Sequence, residues 1–186
     1  MLGVSSPEIR NKVVPYILET LKPKTVFDLG MGAGVYGAAL KQGNPDIVMI
    51  GLDAWMPYLY GEIAQRSYDV LIHAPISRWL DRTVSQLEEL TICMDVIEHL
   101  EKPDALALMD ELRGWYIDIL ECCAIISTPL FDYKQGPMGG NPLEEHKCWF
   151  TEEEITGRGW KLLFKEAHTS WDGQSGYMGA FITPGE

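Results

Sequence analysis

Four closely spaced glycines, Gly30, Gly32, Gly34 and Gly37, follow an apolar run over Thr25 to Leu29 and open a helical stretch. The segment Gly32-Ala33-Gly34-Val35-Tyr36-Gly37 satisfies G-x-G-x-x-G, and its place between a strand and a helix is the context that pattern requires. Backbone N–H groups at such a helix start bind a nucleotide-containing ligand. Asp53 ends the next apolar run, 19 positions after Gly34, where a carboxylate accepts hydrogen bonds from both ribose hydroxyls. Two imidazoles, His99 and His146, are candidates for general-base work, because an ordinary imidazole titrates near neutral pH. Each also has a plainer reading: His99 capping its helix or bonding a backbone carbonyl, His146 anchoring a loop. A metal site would need Glu98, His99 and His146 to converge. Nothing in their spacing requires this, so no metal is expected.

Asp28 decides between two cofactor types. It stands two positions before Gly30, at the mouth of the first strand. A dinucleotide would set its pyrophosphate on the helix N-terminus, facing that carboxylate. At ~5 Å and an effective dielectric of ~20, one pair of like charges costs about 3 kcal/mol. S-adenosylmethionine carries a sulfonium and an ammonium instead, and an acid beside them is favourable. The residues therefore point to S-adenosylmethionine.

The elements that position these residues alternate along the chain. Ser6-Pro7-Glu8 reads as a helix start, with apolar positions at Ile9, Val13, Ile17, Leu18 and Leu21 and a stop at Pro23. Strands are expected over Thr25–Leu29, Ile47–Leu52, Tyr68–His73, Leu90–Asp95 and Cys122–Ser127. Helices are expected over Val35–Lys41, from Pro57 to about Arg66, over Ser85–Leu90 and over Pro103–Tyr116. Five such alternations predict a doubly wound parallel sheet, whose ligands sit beyond the carboxyl ends of the strands. Residues 131–150 hold glycines, prolines and polar residues without periodicity, and a loop of this length in a compact domain is usually functional. It ends at Thr151-Glu152-Glu153-Glu154, a capping-box helix start. Two strands, about Lys161–His168 and Tyr177–Pro184, then form an antiparallel hairpin.

At this point the chain resembles a known family. Asp28-Leu29-Gly30-Met31-Gly32-Ala33-Gly34 resembles the first motif, D/E-x-G-x-G-x-G, of class I S-adenosylmethionine-dependent methyltransferases. Asp95-Val96-Ile97-Glu98-His99-Leu100 looks like the DVIEHL segment of their small-molecule branch. Ile126-Ser127-Thr128-Pro129 is similar to their fifth-strand ending, and His146 with Phe150-Thr151-Glu152-Glu153-Glu154-Ile155 to their H…FTxEEL element. The resemblance implies an α/β, Rossmann-like, doubly wound sheet of seven strands, mostly parallel with an antiparallel C-terminal hairpin. It implies one domain over 1–186, in which the helix of residues 1–22 covers the site and the loop 131–150 lies on the substrate side. Gly30, Gly32 and Gly34 would meet the methionyl part of the cofactor, and Asp28 its ammonium group. Asp53 would hold the ribose, Ala54, Trp55 and Ile76 would sandwich the adenine, and Asp95 would border the methyl group. One departure stands out. Where the family often has an Asp or Asn for the adenine amino group, this chain has Pro75, so either a backbone carbonyl, Ser77 or Asp81 takes that hydrogen bond, or the cofactor site is weak or completed by substrate.

Composition narrows the partners. The 186 residues suffice for one domain with a substantial core, and the net charge of −12 repels nucleic-acid backbones and anionic lipid. No apolar run approaches the ~20 residues of a membrane helix, and the N-terminal stretch has no signal-peptide core. Cys93, Cys122, Cys123 and Cys148 contain no CxxC pair and read as reduced thiols of a cytoplasmic protein. The expected activity is methyl transfer to a small-molecule acceptor. A non-catalytic cofactor-binding partner subunit, an NAD-type oxidoreductase and a nucleic-acid or protein methyltransferase stand as alternatives, and the oligomeric state is left open.

Overall fold

The computed structural model describes residues 6–79, 89–117, 123–170 and 172–183. The chain opens with helix α1 (Pro7–Tyr16), whose final stretch Ile17–Leu21 widens into a π-turn before strand β1 (Thr25–Leu29). Helix α2 (Val35–Gly43), strand β2 (Val48–Asp53), two short helices α3 (Met56–Leu59) and α4 (Glu62–Ser67), and strand β3 (Val70–His73) follow. Then come α5 (Ile76–Trp79), β4 (Leu90–Met94), α6 (Lys102–Ile117), β5 (Cys123–Pro129), α7 (Glu152–Thr156), β6 (Lys161–Thr169) and β7 (Ser175–Ile182).

The strands form one seven-stranded sheet in the order β3-β2-β1-β4-β5-β7-β6. The first five are parallel, and β7 runs antiparallel between β5 and β6. This is the expected Rossmann-like sheet, closed by the expected hairpin. The hairpin does not simply extend the edge: its second strand inserts next to β5, so that Phe181 lies opposite Ile126 and is fully buried.

Strands β4 and β5 are buried along almost their whole length, as in a parallel sheet covered by helices on both faces. Alternation along β1 sends Val26 and Asp28 to one face and Phe27 and Leu29 to the other. Val26 joins Ile9, Val13, Leu40 and Met49 beneath α1 and α2. Phe27 and Leu29 join Leu108, Leu112, Ile155 and Phe181 beneath α6 and α7. In α6 the buried positions Ala105, Leu108, Met109 and Leu112 recur at the helical period. Helix α7 starts on the expected capping box: Glu154 N–H donates to Thr151 Oγ1 at 3.1 Å, and Thr151 N–H to Glu154 Oε2 at 2.8 Å.

Several local expectations differ. The Ser6 side chain does not cap α1; its hydroxyl donates to Glu8 Oε2 at 2.7 Å, and its N–H serves Asp95 instead. The helix expected from Pro57 is broken at Tyr60-Gly61 into α3 and α4. Tyr68 is not part of β3; it turns inward under the glycine loop. The helix expected from Ser85 lies outside the described residues except at its end, where Leu90 already begins β4. Cys122, Asp81 and Pro184 also lie outside them. Among the described residues no helix is long and apolar enough to cross a membrane.

Candidate functional site

A cavity of about 570 Å³ opens beyond the carboxyl ends of β1, β2, β4 and β5, at Gly30, Asp53, Met94, Asp95 and Pro129. Its size is that of a cofactor pocket, and its place follows from the parallel sheet, which brings all these strand ends to one edge.

The glycine loop forms one wall. Gly30 and Met31 N–H groups both donate to Leu52 O, at 2.8 and 3.0 Å, pinning the turn to β2. Gly30 has φ +75°, and a Cβ there would lie 2.7 Å from Val96 Cγ2, so only glycine passes. Gly32, at φ +52°, is different: a Cβ there would meet nothing within 4 Å, because the residue faces the cavity. Gly34 is the N-cap of α2 and does not line the cavity.

Asp53 and Asp95 line the cavity from two strand ends. Asp53 Oδ2 accepts from Gly32 N–H at 2.9 Å and Oδ1 from Trp55 N–H at 2.7 Å, so the carboxylate braces the loop. Two lone pairs remain for a ligand's hydroxyls. Asp95 has φ +56°, a strained backbone for a non-glycine residue and one that clusters at functional sites. Its Oδ1 accepts from Ser127 Oγ at 2.5 Å and its Oδ2 from Ser6 N–H at 2.9 Å, which seats the start of α1 on the site. Burial raises the pKa of both carboxyls.

Asp28 does not take the position expected of it. It shares the helix-covered face of β1 with Val26, is almost fully buried, and lies outside the cavity lining. Tyr68 Oη donates to its Oδ2 at 2.6 Å, while Gly37 N–H donates to the same Oη at 3.2 Å. Burial, against the Tyr68 bond and with the charge of Asp53, pushes its carboxyl up to about 7. Asp28 thus supports the loop from below, and the charge facing a ligand belongs to other acids. Five carboxylates line the cavity, Asp53, Asp95, Glu98, Asp104 and Glu144, against one ammonium, Lys147.

Ala54, Pro75 and Ile76 line the cavity at the β2 and β3 ends, and Ser77 joins them. Trp55 packs against the core instead. His73 Nε2 sits 3.1 Å from Ala54 O, a structural contact.

The loop 131–150 forms the opposite wall through Tyr133, Gln135, Met138, Asn141, Glu144 and His146. It is held by Tyr58 Oη donating to Glu144 Oε1 at 2.6 Å and by Lys147 N–H donating to Glu98 O at 2.8 Å. Neither Tyr58 nor Glu144 stood out in the sequence, since a lone Tyr and a loop Glu carry no spacing signal. His99 and His146 come together with ring centroids 4.8 Å apart. His99 Nδ1 lies 3.2 Å from Glu145 O, and His146 Nδ1 lies 2.9 Å from Tyr133 O. Burial lowers the pKa of His99, and burial together with His99 pushes His146 down to about 4. That shift runs against a base tuned to neutral pH, and the backbone-carbonyl contacts match the plainer readings of both imidazoles. A ligand atom from each of Glu98, His99 and His146 lies within 4.8 Å of the other two, a convergence that sequence spacing did not call for.

No protein-family model and no curated protein sequence matches the chain. Solved structures do. Magnesium protoporphyrin IX methyltransferase (ChlM) from Synechocystis PCC 6803, with SAM bound, superposes with a TM-score of 0.62 at 15% identity, covering 95% of this chain and 78% of that one. The methyltransferase domain of bacterial CtHen1 gives 0.59 at 20% identity, covering 95% and 97%. The N-terminal domain of EvdMO1, with SAH bound, gives 0.60 at 12% identity, covering 98% and 83%. The chain has the Rossmann-like methyltransferase fold. The glycine loop, Asp53 and the acid-lined cavity sit at the carboxyl edge of the sheet, the edge at which open α/β sheets in general take ligands.

Proposed function

We propose that this chain binds S-adenosylmethionine in the cavity and transfers its methyl group to a small-molecule acceptor. The observation that carries the reading is the acidic lining of the cavity: five acidic side chains against one ammonium, an excess of acid that remains although burial favours the protonated form of Asp53, Asp95 and Glu98. Such a wall favours a sulfonium and an ammonium and opposes a pyrophosphate. The open space at Gly32, where no atom lies within 4 Å of a Cβ, fits close approach of a ligand to the backbone. The bound SAM and SAH of structures with this fold support the same reading.

When bound, the cofactor supplies an electrophilic methyl carbon. Gly30 and Gly32 are assigned to its methionyl part, Asp53 to the ribose hydroxyls, and Ala54, Pro75 and Ile76 to the adenine, with Ser77 as the nearby polar group. Asp95, at the strained end of β4, is assigned to the border of the methyl-transfer position. The protein's contribution is alignment and exclusion of water. The start of α1, tied through Ser6 to Asp95, and the loop 131–150, tied through Glu144 to Tyr58, wall the acceptor side. The net charge of −12, and the porphyrin in the name of the magnesium protoporphyrin IX methyltransferase that shares this fold, favour a small molecule as acceptor.

Thermal melting with S-adenosylhomocysteine and with NAD tests this directly. The expected result is a concentration-dependent rise with the former and none with the latter. Asp53→Ala is expected to weaken S-adenosylhomocysteine binding about 10- to 100-fold, the scale of lost hydrogen bonds to a charged group. A rise with NAD alone, or an unchanged affinity in Asp53→Ala, overturns the assignment.

A further inference from the structure

We propose that Glu98, His99 and His146 bind one divalent first-row transition-metal ion on the cavity wall. Their ligand atoms lie within 4.8 Å of one another, and all three residues line the cavity. Three ligands at about 2.1 Å from one ion stand roughly 3 to 4 Å apart, so small side-chain rotations close the set.

The hydrogen bonds around the two imidazoles prepare them for this. Each Nδ1 faces a backbone carbonyl, Glu145 O for His99 and Tyr133 O for His146. A carbonyl requires a donor, so Nδ1 carries the proton and Nε2 the lone pair. This orientation by an outer hydrogen bond is the arrangement that metal-bound histidines use. Glu98 is 2% exposed, and Thr128 Oγ1 donates to its Oε2 at 3.0 Å, leaving the other oxygen for an ion. A buried carboxylate needs a compensating partner, and other acids of the cavity, Asp95 and Glu144 among them, add attraction for a cation. The Lys147 ammonium lies 3.9 Å from Glu101.

Backbone bonds keep the three residues in register. Ile97–His99 forms a single 3₁₀ turn after β4, so Glu98 and His99 are adjacent on a fixed scaffold. His146 arrives from the loop 131–150, and the N–H groups of the next two residues, Lys147 and Cys148, both donate to Glu98 O, at 2.8 and 3.2 Å. The chain thus clamps its own ligand histidine against the ligand glutamate. Two nitrogens and one carboxylate oxygen favour zinc, cobalt or manganese over magnesium or calcium, which prefer all-oxygen shells. Three protein ligands leave coordination positions open to the cavity, as catalytic metal sites do. Metal uptake does not depend on the methyl-transfer reading.

Cobalt(II) titration of the full chain, followed by visible absorption, tests the site. The expected result is saturable uptake of one equivalent with ligand-field bands. Glu98→Gln and His146→Ala are each expected to lower cobalt affinity at least about 100-fold, since losing even an outer partner of a metal ligand costs 10- to 100-fold. Melting with S-adenosylhomocysteine on the same samples reports separately on folding and on the cofactor reading. Glu98→Gln keeps the side-chain shape and an acceptor for Thr128, so it covers the case in which His146→Ala does not fold. No ligand-field bands at stoichiometric cobalt, or affinity unchanged in a folded variant, overturns the proposal whatever the cofactor result.

Discussion

Asp28 shows how a residue's neighbours in space can differ from those that its place in a sequence motif suggests. Its acid belongs to the glycine motif, yet strand alternation turns it toward Tyr68 rather than toward the ligand. The consequence is a pH-dependent contribution to stability. The carboxyl's pKa rises from 3.8 to about 7, so the folded chain holds that proton more tightly than the unfolded chain. Its stabilising contribution is complete below the unfolded value and is lost as pH rises through about 7. The shift corresponds to an upper bound of about 4 kcal/mol. Urea unfolding at pH 5.5 and pH 8 is expected to show wild type more stable at the lower pH, with the difference reduced in Asp28→Asn. The difference is reduced rather than abolished because Asp53, Asp95 and Glu98 are also raised by burial and act with the same sign, whereas His99 and His146, lowered by burial, act with the opposite sign in both proteins and leave the comparison between them unchanged. Equal differences in wild type and variant would remove Asp28 from this account.

Among the elements, the loop between β1 and α2 separates folding from binding most cleanly. Gly30 is sterically closed by Val96, whereas Gly32 is open. Gly32→Ala is expected to cost only about 1 to 2 kcal/mol, the penalty of a left-handed backbone for a residue with a Cβ. Its methyl group would project into the cavity, so the melting rise with S-adenosylhomocysteine is expected to vanish while the protein stays folded. A retained rise would mean that the ligand does not approach this backbone. Much of this level was legible in advance. The strand β1, the glycine turn, the periodic α6 and the capping box of α7 all follow from local patterns that their neighbours reinforce. The absent Ser6 cap and the broken helix after Pro57 were not legible. In the first, Asp95, 89 positions away, takes the backbone donor; in the second, Tyr60-Gly61 interrupts the run.

The whole molecule depends on how the hairpin closes the sheet. Placing β7 between β5 and β6 buries Phe181 completely against Ile126 and the layer beneath α6. Phe181→Ala is expected to cost about 3 to 5 kcal/mol through lost burial and a cavity. A small domain has only about 5 to 15 kcal/mol in total. A large fall in the urea midpoint with unchanged slope would bear this out; a change below about 1 kcal/mol would show that Phe181 is not a core residue. The parallel pairing of β4 with β5 brings Thr128, near the end of β5, to Glu98.

Type, order and alternation along the chain specified the α/β class, the glycine turn, the acid at the end of β2 and the candidate imidazoles. These depend on neighbours a few positions apart, where hydrophobic period and turn chemistry act. Tertiary structure alone decided that Asp28 faces Tyr68, that Asp53 braces Gly32, and that His146 reaches His99 across 47 positions. A parallel sheet gathers its strand ends at one edge however far apart they lie in sequence, but which side chains meet there is set by long-range backbone hydrogen bonds, such as those from Lys147 and Cys148 to Glu98, that no local pattern encodes.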